Sequence, residues 1–150
     1  MPQAPSRRNL ALLLLRSREG VMSHFRAILH QHHLTEQQWR VLRALLDASP
    51  LEPRQICERC QLLSASATGV LARMEEMGLV QRERMAEDQR RVLVTITPKS
   101  RALARRMVPL IDVQYRELEQ RIGAELLAQV YDTLDQLLHR LEVPDGTDAT

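Results

Sequence analysis

The sequence predicts a mainly helical chain carrying one small β-hairpin. Two patterns carry that prediction. Apolar residues recur every three or four positions through most of the chain, the spacing of a single buried helix face. Only Val80–Arg84 and Val92–Ile96 have strand character. In the second, Val92, Val94 and Ile96 alternate with Leu93 and Thr95, and a polar stretch from Met85 to Arg91 separates the pair. At 150 residues the chain is the size of one ordinary domain. Its 44% hydrophobic and 27% charged residues, with 21 basic against 19 acidic, exclude a disordered tail. The longest apolar run, Leu10 to Leu15, is six residues, where a membrane helix needs about 20.

The elements follow in order. Leu10, Leu14, Val21, Phe25, Ile28 and His32 describe one long amphipathic helix from Asn9 to about His33, weakened at Gly20. Ser6-Arg7-Arg8-Asn9-Leu10 imitates an export signal, but its apolar core is too short and Arg16, Arg18 and Glu19 stand where a cleavage site belongs. A cytoplasmic protein is expected. Thr35 is the N-cap of the next helix, with Gln38 reaching back in a capping box and Leu34 and Trp39 placed as a hydrophobic staple. That helix continues through Leu42, Leu45 and Leu46 and stops near Ser49-Pro50.

A short helix with Pro53 in its first turn directs Ile56, Cys57 and Cys60 inward. After a tight turn at Gln61-Leu62-Leu63, Ser64 is expected to cap a helix through Val70, Leu71, Met74 and Met77, with Gly78 as its terminator. Beyond the hairpin, Thr97 caps and Pro98 opens a helix carrying Leu103, Met107, Leu110, Ile111 and Leu118, expected to bend at Pro109. The last helix follows Gly123, with Leu127, Leu134 and Leu141 at heptad spacing, interleaved with Val130 and Leu137. The terminal helices are more apolar than a winged core can cover, and a second copy of the chain is the simplest partner for them. The expected organisation is dimerisation helices at 9–33 and 98–141, a DNA-binding unit at 34–97, and flexible ends at 1–8 and 142–150.

Function is written most densely between residues 53 and 96. Two helices joined by a short turn and followed by a hairpin with basic residues describe a winged helix-turn-helix. The second helix presents Ser64, Ala65, Ser66, Thr68, Gly69 and Arg73. Small residues let such a helix reach the floor of the major groove, hydroxyls bond phosphates or base edges, and Arg73 reaches a guanine or a phosphate. An ordinary polar surface helix would look similar. In the hairpin loop, Asp88-Gln89-Arg90-Arg91 places an acid two residues before an arginine. Arg90 there suits a narrow minor groove, with Asp88 expected to hold it in a bidentate pair. A simple surface ion pair would imply no DNA role. Charge is uneven: residues 79–106 hold eight basic and three acidic side chains, residues 107–150 three and nine.

These residues resemble the MarR family of bacterial transcription regulators. The likeness runs through Ile56-Cys57-Glu58-Arg59, Ser64 to Arg73, Met77-Gly78-Leu79-Val80, Asp88-Gln89-Arg90-Arg91 and Ile96-Thr97. Ser100 departs from it, since the family usually has glycine after Thr-x-Lys. Leu34 to Leu42, with Arg18-Glu19 and Met22 to Arg26, looks like the subgroup that controls homoprotocatechuate (hydroxyphenylacetate) and related aromatic-acid catabolism. The resemblance implies an obligate homodimer that binds double-stranded DNA at a pseudo-palindromic operator. It also implies repression relieved by a small aromatic carboxylate. A two-fold dimer reads half-sites about 34–36 Å apart. Similar proteins hold the effector between the dimerisation helices and the DNA-binding lobe, where this chain offers Arg16, Arg18, His24, Trp39 and Arg40. Trp39 is also explained by the staple, and the arginines by pairing with Glu19, Glu36 or the acidic tail of a partner copy.

Other classes are weaker. Cys57 and Cys60 form a lone C-x-x-C, short of a four-cysteine zinc site and outside a thioredoxin-like context. They read as two small apolar residues on one helix face, with thiol-redox sensing as the alternative. His30-Gln31-His32-His33 lacks further ligands at metal spacing, so no metal and no cofactor is expected. Gly20, Gly69, Gly78, Gly123 and Gly146 form no phosphate loop, and no H-E-x-x-H or nucleophile elbow occurs, which argues against an enzyme. A helical dimer scaffold that binds no DNA is the remaining alternative.

Overall fold

A computed structural model of the chain describes residues 7–142. It contains seven helices and one hairpin among those residues: α1 (Leu10–Met22), α2 (Arg26–Gln31), α3 (Glu36–Asp47), α4 (Pro53–Cys60), α5 (Ser64–Glu76), β1 (Val80–Arg84), β2 (Val92–Ile96), α6 (Pro98–Ile122) and α7 (Ala124–Glu142). The expected flexible ends fall outside the described residues, apart from Arg7, Arg8 and Glu142. The chain divides into two compact units, 1–111 and 112–150.

The first unit is built around α3, α4, α5 and the hairpin. Val41, Leu42 and Leu45 from α3, Ile56 from α4, Leu71 and Met74 from α5, and Val80 and Val94 from the strands form its buried centre. Thr35 opens α3 as expected: its Oγ1 accepts from the Gln38 N–H at 3.2 Å, and Gln38 Oε1 accepts from the Thr35 N–H at 3.0 Å. The strands pair antiparallel, Val80 opposite Ile96 and Arg84 opposite Val92. Leu51 adds an isolated bridge on the other side of β2 by exchanging both backbone hydrogen bonds with Val94. Gly78 ends the α5 turn at φ +73°, a left-handed conformation that glycine adopts without strain. Ser100 is fully buried and donates to the Leu79 carbonyl while its N–H reaches Thr97 Oγ1, so the start of α6 accommodates the departure from glycine.

Two local expectations are corrected. The first helix is not continuous to His33: the chain turns through Ser23, His24 and Phe25, where the Ser23 hydroxyl donates to the Gly20 carbonyl at 2.8 Å. The turn lets Phe25, Ile28 and Leu29 bury in the first unit, which a straight helix would not allow. Ser64 is not the N-cap of α5. Leu63 holds that position without a side-chain hydrogen bond, and Ser64 is the first helical residue. Helix α6 runs through Pro109 without interruption.

Helix α1 buries none of its residues and exposes Leu10, Leu12, Leu14 and Leu15. In the second unit, α7 likewise buries none and exposes Leu126, Val130, Tyr131, Leu134, Leu138 and Leu141. Among the described residues, no helix is long and apolar enough to cross a membrane.

Candidate nucleic-acid interface

Helix α5 buries Ala67, Leu71 and Met74, the i, i+4 and i+7 positions of one face. Ser64, Ser66, Thr68, Gly69 and Arg73 are all exposed. The Ser64 and Ser66 hydroxyls donate to no protein acceptor among the described residues; Thr68 Oγ1 donates back to the Ser64 carbonyl at 3.1 Å. A Cβ added at Gly69 meets nothing within 4 Å, so the outer side of the helix is flat there.

Two ion pairs fasten the hairpin to the helices beside it. Arg82 on β1 donates to both Glu75 oxygens, at 3.2 Å from Nε and from Nη2, and its backbone N–H adds a third bond at 3.1 Å. The Arg82 side-chain bonds hold the Glu75 carboxyl below its ordinary range. Arg91 donates through Nε to Glu52, the N-cap residue of α4, and this carboxylate holds the Arg91 proton more tightly. Arg84 turns inward along the loop, giving a hydrogen bond to the Gln89 carbonyl at 2.7 Å. The expected Asp88–Arg90 bidentate pair does not form. Asp88 Oδ1 instead accepts the Arg90 backbone N–H at 3.0 Å, shaping the turn, and the Arg90 guanidinium has no partner among the described residues. The reason is local: the tight turn aims the main chain, rather than the side chain, of Arg90 at the acid. The wing thus presents one free cation beside a hydroxyl-faced helix. Arg73 is exposed as well, but shares its charge with Glu76 at 3.0 Å.

The residues expected around an effector lie on α1, the α1–α2 turn and α3. Arg16 and Arg18 lie on the exposed α1, and His24 in the α1–α2 turn is half-buried. Trp39 and Arg40 are half-buried on α3. Only Arg18 is drawn to the start of α3, in a closed circuit of alternating charge. Arg18 meets Glu36 at 2.6 Å and Glu19 at 3.4 Å, while Arg26 meets Glu36 at 2.9 Å and Glu19 at 2.6 Å. Arg26 was outside the expected set; the turn between α1 and α2 brings it back to Glu19. Arg40 turns away from this circuit and donates through Nη1 to the Cys60 carbonyl at 2.8 Å. Cys60 is buried, which pushes its thiol up and keeps it protonated, while Cys57 is half-buried.

The hydrogen bond from Arg18, followed by that from Arg26, holds the Glu36 carboxyl below its ordinary range. A depressed carboxylate contributes stability that is full above its unfolded value of about 4.3 and is lost as pH falls through the folded value. Glu36→Gln is therefore expected to lower the urea midpoint at pH 7, with the deficit shrinking on acidification. The Arg18 coupling in a double-mutant cycle should be under about 1 kcal/mol for so open a pair. Equal midpoints at pH 7 would contradict the tie.

Comparison with known proteins places this geometry in a class. A hydroxyl-faced helix braced against a basic hairpin is a winged helix-turn-helix, the apparatus of a transcriptional regulator. The MarR family profile matches residues 32–91. The chain is 37% identical over 130 residues to the homoprotocatechuate degradative operon repressor of Escherichia coli, covering 87% of this chain and 88% of that one. It therefore belongs to the MarR family. Among solved structures it is similar to the transcriptional regulator PA4135, with a TM-score of 0.85 and 41% identity over 92% of this chain and all of that one. It is also similar to NadR in complex with 4-hydroxyphenylacetate, with a TM-score of 0.75 and 33% identity over 91% of this chain and 97% of that one.

Proposed function

We propose that this MarR-family regulator represses an aromatic-acid catabolic operon as a homodimer and leaves its pseudo-palindromic operator when a small aromatic carboxylate binds. The observation that carries the DNA reading is the pairing of α5, with its free hydroxyls and flat Gly69 surface, with a wing whose Arg90 is uncommitted. Ser64, Ser66, Thr68, Gly69 and Arg73 meet the major groove, and Arg90, oriented through Asp88, meets the minor groove. Arg91 contributes phosphate contact or holds the wing through Glu52. The exposed leucines of α1 and α7 supply the dimer contact. Residues 9–33 and 98–141 then form the dimerisation unit and 34–97 the DNA-binding unit.

The effector class is supported by two relatives above 30% identity, one named for homoprotocatechuate degradation and one bound to 4-hydroxyphenylacetate. Within the expected effector set, Trp39 offers a half-open ring face, and Arg16 and His24 lie outside the ion circuit. Arg18 accepts a ligand carboxylate only by exchanging Glu36 or Glu19 for it, and Arg40 serves the α3–α4 junction. The acid acts by binding a DNA-incompetent dimer better than the competent one, with a typical coupling of about 1–3 kcal/mol.

The test is fluorescence anisotropy of a labelled duplex from upstream of the protein's own gene, titrated with protein and then with hydroxylated phenylacetates and hydroxylated pyridine carboxylates. Tight binding reversed roughly 5–150-fold by one acid is expected. Binding that ignores every acid but is lost on peroxide treatment would favour Cys57 as the sensor. No binding would leave a helical scaffold.

A further inference from the structure

Helix α5 is fastened by side-chain hydrogen bonds at its C-terminal end. At its start, the N-cap Leu63 makes no side-chain hydrogen bond. At its end, the N–H groups of Met77, Gly78 and Leu79 return to the carbonyls of Arg73, Glu75 and Met74. The carbonyls of the same three residues lie beyond the helix and need donors from elsewhere. The first turn of α6 supplies a side-chain donor to each. Lys99 Nζ donates to the Met77 carbonyl at 2.6 Å, Thr97 Oγ1 to the Gly78 carbonyl at 2.7 Å, and Ser100 Oγ to the Leu79 carbonyl. Thr97 Oγ1 also accepts the Ser100 N–H at 3.2 Å, so one hydroxyl serves the start of α6 and the end of α5.

Two positions give this clasp its form. Gly78 has no side chain, and the Lys99 stem lies across its open face: a Cβ there would stand 3.6 Å from Lys99 Cδ. The Lys99 ammonium also meets the negative end of the α5 dipole. Ser100 stands where the family usually has glycine, and its fully buried hydroxyl makes a bond for which glycine has no atom. Burial of Leu103, Ala104 and Met107 attaches α6 to the first unit as well, but apolar attraction has no preferred direction. Hydrogen bonds do. Direction matters because α5 is a lever: its 13 residues span about 20 Å. A tilt of about 5° at Met77 would move the Ser64 end by about 1.7 Å, which breaks a direct hydrogen bond to a base.

We propose that Lys99 and Ser100 are positioning residues for operator recognition. Through them the start of α6 sets the angle of α5 and, in the dimer, the separation of the two helices that read the half-sites. This rests on the DNA-binding and dimer readings above. Neither side chain contacts a base; each acts through the carbonyl it holds, Lys99 through Met77 and Ser100 through Leu79. Thr97 completes the clasp, but its hydroxyl also caps α6, so Lys99 and Ser100 are the positions that separate aim from folding.

The test uses full-length protein and three duplexes: the natural operator from upstream of its own gene, the same duplex with one base pair inserted between the footprinted half-sites, and a shuffled control. The inserted pair moves the half-sites apart by about 3.4 Å and rotates them by about 35°. Wild type is expected to bind the spaced duplex at least about tenfold more weakly than the natural one. Lys99→Met keeps the stem over Gly78 and removes the donor. It should weaken natural-duplex binding about tenfold and leave the spaced and shuffled duplexes unchanged, so the spacing penalty shrinks. Ser100→Ala, which changes no charge, should move the same ratio in the same direction, and Lys99→Arg, which keeps a charged donor, should restore it. A lower melting temperature with every affinity ratio intact would assign both residues to stability alone and overturn the proposal. An equal loss on all three duplexes would overturn it too, because the aim of α5 does not govern non-specific contact. Wild-type indifference to the inserted base pair would overturn the spacing role and leave the DNA-binding reading standing. Wild-type indifference to shuffling would bring down both.

Discussion

Arg90→Ala is expected to abolish tight operator binding while leaving the dimer and the fold intact. The fold should not notice because the Arg90 guanidinium has no partner among the described residues, and the turn that carries it is held by the main chain through Asp88. DNA should notice because a free guanidinium at a wing tip is drawn to the strong negative potential of a narrow minor groove. A specific arginine contact is worth about 1–3 kcal/mol, and a two-fold dimer loses it at both half-sites. The comparison with Arg91→Ala is informative. That change removes the tie to Glu52 as well, so it should loosen the wing and weaken binding through geometry. Unchanged affinity of Arg90→Ala at about 150 mM salt would remove the wing from the interface.

Gly69→Trp is expected to reduce operator binding to the non-specific level, a fall on the order of 10³-fold or more. Gly69 lies on the exposed side of α5, away from the buried Ala67, Leu71 and Met74. A large side chain there would hold the helix off the groove floor without touching the protein's own core. Gly69→Ala provides the control. Its added methyl meets nothing within 4 Å and glycine is a poor helix former, so thermal stability should rise by up to about 1 kcal/mol. If the tryptophan variant binds operator like wild type, α5 is not the groove-reading helix. If it unfolds, the alanine variant and circular dichroism will show it.

What could be read from the sequence was what local chemistry decides. The hairpin strands fall where alternation and the polar loop placed them, and Thr35 with Gln38 forms the capping box because both partners lie within one turn. The break after Met22 was hidden, since its cause is the burial of Phe25, Ile28 and Leu29 in the folded unit. The misplaced cap at Ser64 has a functional side: the hydroxyl assigned to the helix end is left free on the outer surface. Charge partners were the least legible. Arg91 finds Glu52 across a stretch of chain that no spacing rule connects, whereas Glu19 and Glu36 were expected as alternative partners for Arg18.

The central claim is sequence-specific DNA binding by the winged unit, and the wild-type arm of the anisotropy experiment tests it most directly. Two duplexes of equal length and composition are compared at about 150 mM salt, one from upstream of the protein's own gene and one shuffled. A preference for the natural duplex on the order of 10³-fold or more, weakening steeply as salt rises, is the predicted result. Equal affinity for the two duplexes, or no binding to either, would contradict it.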